Sequence, residues 1–246
     1  MGALQRAWSG RLNPFEMEQS ASGPALRVGG LVLAAGAGSR MGHRPKCLLQ
    51  LDGVSLLERQ LQALSMAGVT PLRVVLGYHA ARIQQEAALT RWAAQGVINP
   101  APQDGHVGSL RTGLQALPPD LDAVVVALAD QPLVNAQSVQ DLLQAFVQRP
   151  AETQLLRPLV QGLPGNPVVL SATVVAQILA GDAQMGVQQW QQAHPECVCW
   201  WETPHAPYRL DVDNEDDCHV LRTLTGLSLH WPPDLRRSAP AIKINP

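Results

Sequence analysis

Short apolar runs that end in glycine or aspartate alternate along this chain with stretches of helical periodicity. No other feature restricts the possible fold as much. Residues 28–35 form one such run, closing in glycines, and residues 123–129 form the strongest, a β-branched run bounded by Asp122 and Asp130. Runs that are apolar throughout read as strands buried on both faces. Residues 54–68 place Leu57, Leu61 and Leu64 on one helical face, with Gly68 as a stop signal. The pattern then predicts a strand over 72–76, a helix over 79–95, a short strand at Val97 and Ile98, and a helix to Leu117 after the loop 100–108. Further on it predicts a helix over 137–148, with Val139, Leu142, Leu143 and Phe146 inward, and strands over 155–160 and 168–170 around a Gly-Pro turn. Ser171 caps a helix to Ala180, a short helix covers 185–193, late strands cover 198–202 and 208–212, and a final helix covers 215–224. Strands alternating with helices of about ten to fifteen residues are βαβ units. The expected fold is therefore α/β and Rossmann-like, a mainly parallel sheet with helices on both faces. Ligands of such sheets bind beyond the carboxyl ends of the strands, at a topological switch point, which directs attention to the strand-to-helix loops.

Residues 1–27 lack sustained periodicity and read as an N-terminal extension, 28–226 as one folded domain, and 227–246 as a proline-rich tail over its surface. Lys and Arg number 18 against 20 Asp and Glu, a formal charge of −2 without a dense cationic block. Phosphate-backbone affinity comes from clustered cations, so no nucleic-acid partner is expected. The longest apolar run is far short of the roughly 18–20 residues that span a bilayer, so no membrane partner is expected either. The first residues hold no apolar core of a secretory signal, and four cysteines are too few for a disulfide scaffold. A cytoplasmic protein is expected. Cys197 and Cys199 alternate as on a strand and have no second pair, so they do not read as a zinc site.

The first strand opens into LAAGAGSRMGHRPK, residues 33–46. Gly36, Gly38 and Gly42 let the backbone turn sharply and present successive N–H groups to an anion. Arg40 and Lys46 add two cations to the same loop. A dinucleotide fingerprint would open a helix directly, but here Pro45 interrupts one, and no Walker A lysine motif is present. The string resembles the L-A-x-G-x-G-x-R-M-G-x-x-P/D-K signature of the MobA-like nucleotidyltransferases, and within them the branch of molybdenum cofactor cytidylyltransferases. The resemblance runs from about residue 28 to 224 and continues, in order, through GSLRTGL (108–114), ALADQPL (127–133), GNPVVL (165–170) and LDVDNEDD (210–217).

The resemblance implies a fold of the nucleotide-diphospho-sugar transferase type and a Mg²⁺-dependent transfer of NMP from an NTP to a phosphate acceptor, with release of pyrophosphate. Arg40 and Lys46 take the catalytic positions. Attack at the α-phosphorus piles negative charge on the phosphate oxygens, and fixed cations there lower the barrier. Leu33, Ala34, Ala35, Gly36, Gly38, Ser39, Gly108 and Ser109, with Arg40 and Lys46, are the implied nucleotide-binding residues. Asp130, Asp211 and Asp213 are the implied metal ligands: Asp130 ends a strand in the ligand crevice, and the other two, spaced by two, would share a face of a strand. Which of that pair binds stays open, since Asn214-Glu215-Asp216 replaces the family's Thr-Pro-Glu. Asn166 falls on the acceptor side. Ala34-Ala35-Gly36 resembles pyrimidine-nucleotide members, favouring CTP, although His106-Val107-Gly108 stands where the family often has serines. Molybdopterin is the implied acceptor and a molybdoenzyme the implied client. A sugar or polyol phosphate acceptor, and a non-catalytic chaperone for a nucleotide or pterin cofactor, are the alternatives. A Rossmann oxidoreductase is disfavoured by the glycine spacing and Pro45.

Overall fold

In the computed structural model, which describes residues 26–236, strand β1 (Val28–Ala34) is an interior strand of the main sheet, paired on both edges. Besides β1, the strands are β2 (Gln50–Leu51), β3 (Val54–Ser55), β4 (Leu72–Leu76), β5 (Ala94–Ile98), β6 (Ala123–Leu128), β7 (Leu155–Val160), β8 (Leu163–Pro164), β9 (Val168–Ser171), β10 (Val198–Glu202) and β11 (Leu229–His230). The helices are α1 (Leu56–Met66), α2 (Ala80–Glu86), α3 (Gly105–Gln115), α4 (Ala136–Val147), α5 (Ala172–Ala180), α6 (Val187–Ala193) and α7 (Glu215–Thr225). The main sheet runs β10-β7-β9-β6-β1-β4-β5, with β8 folded back on β7. β4, β1, β6 and β5 are mutually parallel, as are β7 and β10, while β9 runs antiparallel between β6 and β7. The chain builds outward from β1 through β4 and β5, then crosses back to β6 on the other side of β1. The reversal lies between β1 and β6, and the crevice beyond their carboxyl ends is where ligands of such sheets sit.

β1 is buried on both faces because its neighbours supply two separate cores. Val32 and Ala34 pack with Leu57, Leu61 and Leu64 of α1 and Val139, Leu142 and Phe146 of α4. Leu31 and Leu33, pointing the other way, pack with Leu110 and Leu114 of α3, Val174 and Ile178 of α5, and Trp190 of α6. Period-two alternation in an all-apolar strand thus fills both layers of an α/β sandwich. No helix among the described residues is long and apolar enough to cross a membrane.

Three local expectations change. The helix expected over 79–95 ends at Glu86; a 3-10 turn at Leu89–Trp92 follows, and Ala93 turns into left-handed backbone (φ 51°) so that Ala94 pairs with Leu72. A fourth parallel ladder partner outweighs local helix propensity there. Residues 208–212 are not a strand: Pro207 has no N–H for a ladder, a 3-10 turn occupies Ala206–Arg209, and the Val212 N–H donates to the carbonyl of Asp130 (3.0 Å). Asp211 and Asp213 therefore flank a docking point instead of sharing a strand face. Finally, Val54 and Ser55 belong to a hairpin with Gln50 and Leu51, closed by Asp52 and Gly53, both at positive φ, and β11 adds a third strand. That Asp-Gly pair is a hairpin signal of the two-residue type. Residues 227–236 of the expected tail contribute β11 and a 3-10 turn at Pro233–Leu235; residues 1–25 of the expected extension and residues 237–246 lie outside the described residues.

Arg111 on α3 turns its guanidinium into the end of α5, donating to the carbonyls of Ile178, Leu179 (3.1 Å) and Gly181 (3.2 Å). These are among the helix-terminal acceptors that have no partner within the helix. Loss of charge-assisted bonds to partly buried carbonyls is costly, so Arg111→Met should lower unfolding stability by about 2 kcal/mol, read as a lower urea midpoint at unchanged slope.

Candidate active site

The loop after β1 holds its shape through its own backbone. Gly38 is left-handed (φ 61°), and a Cβ there would fall on the carbonyl oxygen of Arg44. Its carbonyl accepts from the N–H groups of Met41 and His43, both at 2.9 Å. His79 contacts the Ala37 carbonyl through Nε2 (3.0 Å) from the next strand's loop. Arg44 braces the outer side: Nε donates to the Met41 carbonyl (2.8 Å), another nitrogen pairs with Glu215 (3.2 Å), and the guanidinium stacks on Trp231 (4.0 Å to the ring centre). After Pro45 a 3-10 turn buries Cys47 and Leu48 and leaves Lys46 at the crevice. Burial, and then the charge of Asp130, push the Cys47 thiol up to about 12. It stays protonated and packs.

Lys46 Nζ lies 2.5 Å from Asp130 Oδ2 and 2.7 Å from Asp213 Oδ1, and Arg40 donates to the other oxygen of Asp213 at 3.1 Å. The segment carrying Asp213 is fixed by the Val212 N–H on Asp130 and by a capping box in which Asp217 accepts from the N–H groups of Asp213 and Asn214. Burial works against the charge on Lys46, but Asp130 and Asp213 together outweigh it and raise its pKa. The hydrogen bond from Lys46, with the charges of Lys46 and Arg40, lowers that of Asp213 despite partial burial. Asp211 moves the opposite way, raised by partial burial and by the negative charges of Asp130 and Asp213. Asp130 Oδ1 is buried and accepts no hydrogen bond from the described residues. Among the described residues no three His, Cys, Asp or Glu side chains form a ready-made metal cage.

A pocket of about 330 Å³ opens beside Lys46; of the sequence-predicted residues, Leu33, Ala34, Ala35, Gly36, Lys46, Ser109 and Asp130 line it. Gly38, Ser39 and Arg40 build the loop without lining the pocket, and Arg40 reaches the cluster through Asp213. Gly108 lies on α3 against Asp104 and Asn99. The Ser109 hydroxyl is committed, accepting from Asn99 Nδ2 and donating to the Gly105 carbonyl, both at 3.1 Å; it shapes the pocket wall more directly than it could read a base. Asn166 lies in a second cavity of about 420 Å³, which shares Leu33, His106 and Leu128 with the first. The structure adds residues that sequence reading passed over. Tyr78, 53% exposed, lines the mouth of the first pocket. Buried Gln131 donates from Nε2 to the carbonyls of Asn166 (3.2 Å) and Tyr208 (3.1 Å), joining the residue after Asp130 to the turn at Asn166 and to the segment before Asp211. Its place next to Asp130, at the end of the strongest strand, was the signal available.

A glycine-shaped loop with two cations, set at the switch point of a mostly parallel sheet and facing a strand-end carboxylate, defines a nucleotide-binding α/β protein. The chain belongs to the MobA-like NTP transferase family, whose domain model matches residues 30–198. It is 32% identical to nicotine blue oxidoreductase of Paenarthrobacter nicotinovorans over 79% of this chain and 96% of that protein. It is 40% identical to the bifunctional protein GlmU of Mycobacterium ulcerans over 119 residues, which cover 46% of this chain but only 24% of GlmU. Among solved structures, Rv0371c of Mycobacterium tuberculosis superposes with a TM-score of 0.67 and 26% identity, over 80% of this chain and 98% of that one, and a second structure of it is a manganese complex.

The lowered pKa of Asp213 has a definite sign for stability. A carboxylate whose folded pKa lies below its unfolded value near 3.8 contributes stability above that pH and loses it as pH falls through the folded value. Urea midpoints of wild type and Asp213→Asn should therefore differ most at neutral pH and converge in acid. A gap that widens on acidification would contradict the ion-pair geometry.

Proposed function

We propose that this chain is a cytoplasmic nucleotidyltransferase that moves a nucleoside monophosphate, CMP in the favoured case, from an NTP to a phosphate-bearing acceptor with release of pyrophosphate. The observation that carries the reading is Lys46, held between Asp130 and Asp213 at the switch point, in a pocket walled by the glycine loop. Molybdopterin is the favoured acceptor and a molybdoenzyme the client; this rests on the resemblance of the ordered motifs. A sugar or polyol phosphate is the competing acceptor.

An ionised acceptor phosphate oxygen attacks the α-phosphorus in line, the bond to the bridging oxygen breaks, and its electrons leave with pyrophosphate. A phosphate monoester has a second pKa of about 6 and is already ionised near neutrality, so no side chain need remove a proton. The work of the chain is positioning and charge neutralisation. Lys46 exchanges Asp130 for a phosphate oxygen while Asp213 keeps hold of Lys46 and Arg40, and the Gly36 region offers backbone N–H groups at the same place. The donor set also fits a divalent cation. Asp130 has a buried oxygen without a partner, and Asp211 is crowded by like charge with no cation of its own within ion-pair distance among the described residues. Mg²⁺ takes one or two carboxylates together with phosphates and does not need a full protein cage. Asp130 and Asp211 would hold it, with Asp213 retained as the partner that orients Lys46 and Arg40. When bound, the ion supplies further neutralisation of phosphate charge.

One observation favours a second reading. The relative matched over nearly its whole length is named an oxidoreductase, and the same pocket could hold a nucleotide redox cofactor. The test is pyrophosphate release with Mg²⁺ and each of CTP, GTP, UTP and ATP, against molybdopterin and several sugar phosphates. It runs beside oxidation of reduced nicotinamide cofactor by a quinonoid dye. Release with one NTP–acceptor pair is expected, and Lys46→Ala should reduce it by roughly 10²–10³-fold, the scale of losing one fixed transition-state stabiliser. Near wild-type turnover in that variant would remove Lys46 from the mechanism. Dye-dependent oxidation without pyrophosphate release would favour the redox reading, and nucleotide binding without either activity the chaperone.

A further inference from the structure

The second cavity carries a charge that no carboxylate among the described residues meets. Arg157 lies on β7, two residues beyond Leu155, whose side chain belongs to the core packed under α3, α5 and α6. By strand alternation Arg157 continues that same face, a row where packing alone calls for an apolar side chain. Its guanidinium is instead held at the cavity wall: Nε donates to the Gly165 carbonyl (3.2 Å) and one terminal nitrogen to Gln191 Oε1 (3.1 Å). Both partners are neutral, and no carboxylate lies within ion-pair distance of Arg157 among the described residues. Arg209, nearby, donates to the Pro164 carbonyl (3.0 Å) and is likewise without a carboxylate. Burial, and then the positive charge of Arg209, work against the charged form of Arg157. A half-buried cation beside a like charge is costly unless an anion meets it. Arg111 spends its donors on the end of α5 and Arg44 on the loop and Trp231, whereas Arg157, besides its two bonds inside the fold, lines the open cavity.

We propose that this cavity is an oxyanion-reading acceptor subsite in which Arg157 is the selective group, oriented by Gln191 and reinforced by Arg209. The inference rests on the nucleotidyl-transfer reading only for the word acceptor; the anion site itself stands on the cavity and its uncompensated charge. The ligand class is a small molecule bearing a phosphate or carboxylate group. Its other atoms would meet the apolar floor of Val126, Val168 and Leu110 and the amide groups that α6 lends through Gln188 and Gln192. The shared wall of Leu33, His106 and Leu128 leaves such a molecule open to the pocket that holds Lys46. A planar guanidinium suits the bidentate oxygens of either anion better than an ammonium does.

Titration of the full chain with glycerol 3-phosphate and, separately, with malonate tests this, following the Nε–Hε resonance of Arg157 and the dissociation constant. Wild type, Arg157→Gln, Arg157→Lys and Lys46→Ala are compared. The expected result is binding that moves the Arg157 resonance in wild type and in Lys46→Ala. It should be weakened about tenfold or more in Arg157→Gln, with Arg157→Lys between the two. The tighter of the two probes identifies the oxyanion as phosphate or carboxylate. Binding lost in Lys46→Ala but kept in Arg157→Gln would put the anion in the nucleotide pocket and overturn the inference. So would failure of both probes to bind wild type at millimolar concentrations, or equal affinity across the Arg157 variants. Arg157-dependent binding in a protein that releases no pyrophosphate would instead overturn the transfer reading and leave the subsite standing.

Discussion

The ammonium of Lys46 joins three stretches of chain: the loop after β1, the end of β6 and the segment before α7. Asp130 and Asp213 approach it to 2.5 and 2.7 Å, and the Val212 N–H on the Asp130 carbonyl fixes the spacing from the backbone side. Without the cation, two carboxylates and the nearby Asp211 would face one another across a partly buried crevice, and like charges in such a place repel strongly. Lys46 is therefore a structural counterion in the ligand-free protein and becomes available to a substrate only by exchange. In the proposed transfer, an arriving triphosphate would take the cation and leave Asp130 uncompensated, in a site where one of its oxygens has no partner among the described residues. That exchange is the physical reason a second cation is expected to accompany the nucleotide.

The two cavities differ in how their charge is managed. Beside the glycine loop, cations and carboxylates are interleaved, so the pocket is close to neutral until a ligand redistributes the pairs. In the second cavity Arg157, with Arg209 nearby, meets carbonyls and an amide but no carboxylate among the described residues. A neutralised cluster holds geometry while a polyanion comes and goes; an uncompensated arginine discriminates, because only an anion removes its cost. Gln131, next to Asp130, is hydrogen-bonded to the backbone of both Asn166 and Tyr208. These bonds tie the turn at Asn166 to the segment leading to Asp213.

How much of this was legible in the chain depended on whether the determinants were contiguous. The loop of residues 33–46 carries glycines, cations and the interrupting proline in one stretch, so its place after a buried strand and its anion-facing character could be read directly. Asp130 was equally plain, ending a run of β-branched residues. The break of the 79–95 helix was not, because it depends on a ladder partner, β4, that helical periodicity does not see. The roles of Asp211 and Asp213 were hidden by the same kind of cause. They follow from a 3-10 turn and one long-range backbone hydrogen bond, and alternation along an imagined strand put both on one face. Arg157 passed unnoticed for a third reason. An arginine in a strand reads as an exposed position, and only the packed α6 shows that it faces a cavity.

The family domain alone leaves both group transfer and redox chemistry open, since a pocket that grips phosphates serves either. The two chemistries make different demands on the carboxylates. A nucleotide held only as an electron carrier keeps its phosphates intact, and its site gains nothing from acidic groups set against the phosphate-binding lysine; each would weaken the grip. Transfer at the α-phosphorus has the opposite requirement, because negative charge moves toward the departing pyrophosphate and must be met by cations whose positions are fixed beforehand. Carboxylates that orient Lys46 and Arg40 and can seat a metal ion satisfy that requirement at the cost of ground-state affinity. Asp130 and Asp213 reaching Lys46, with Asp211 alongside, are an expensive arrangement for binding and a useful one for moving a phosphoryl-linked group.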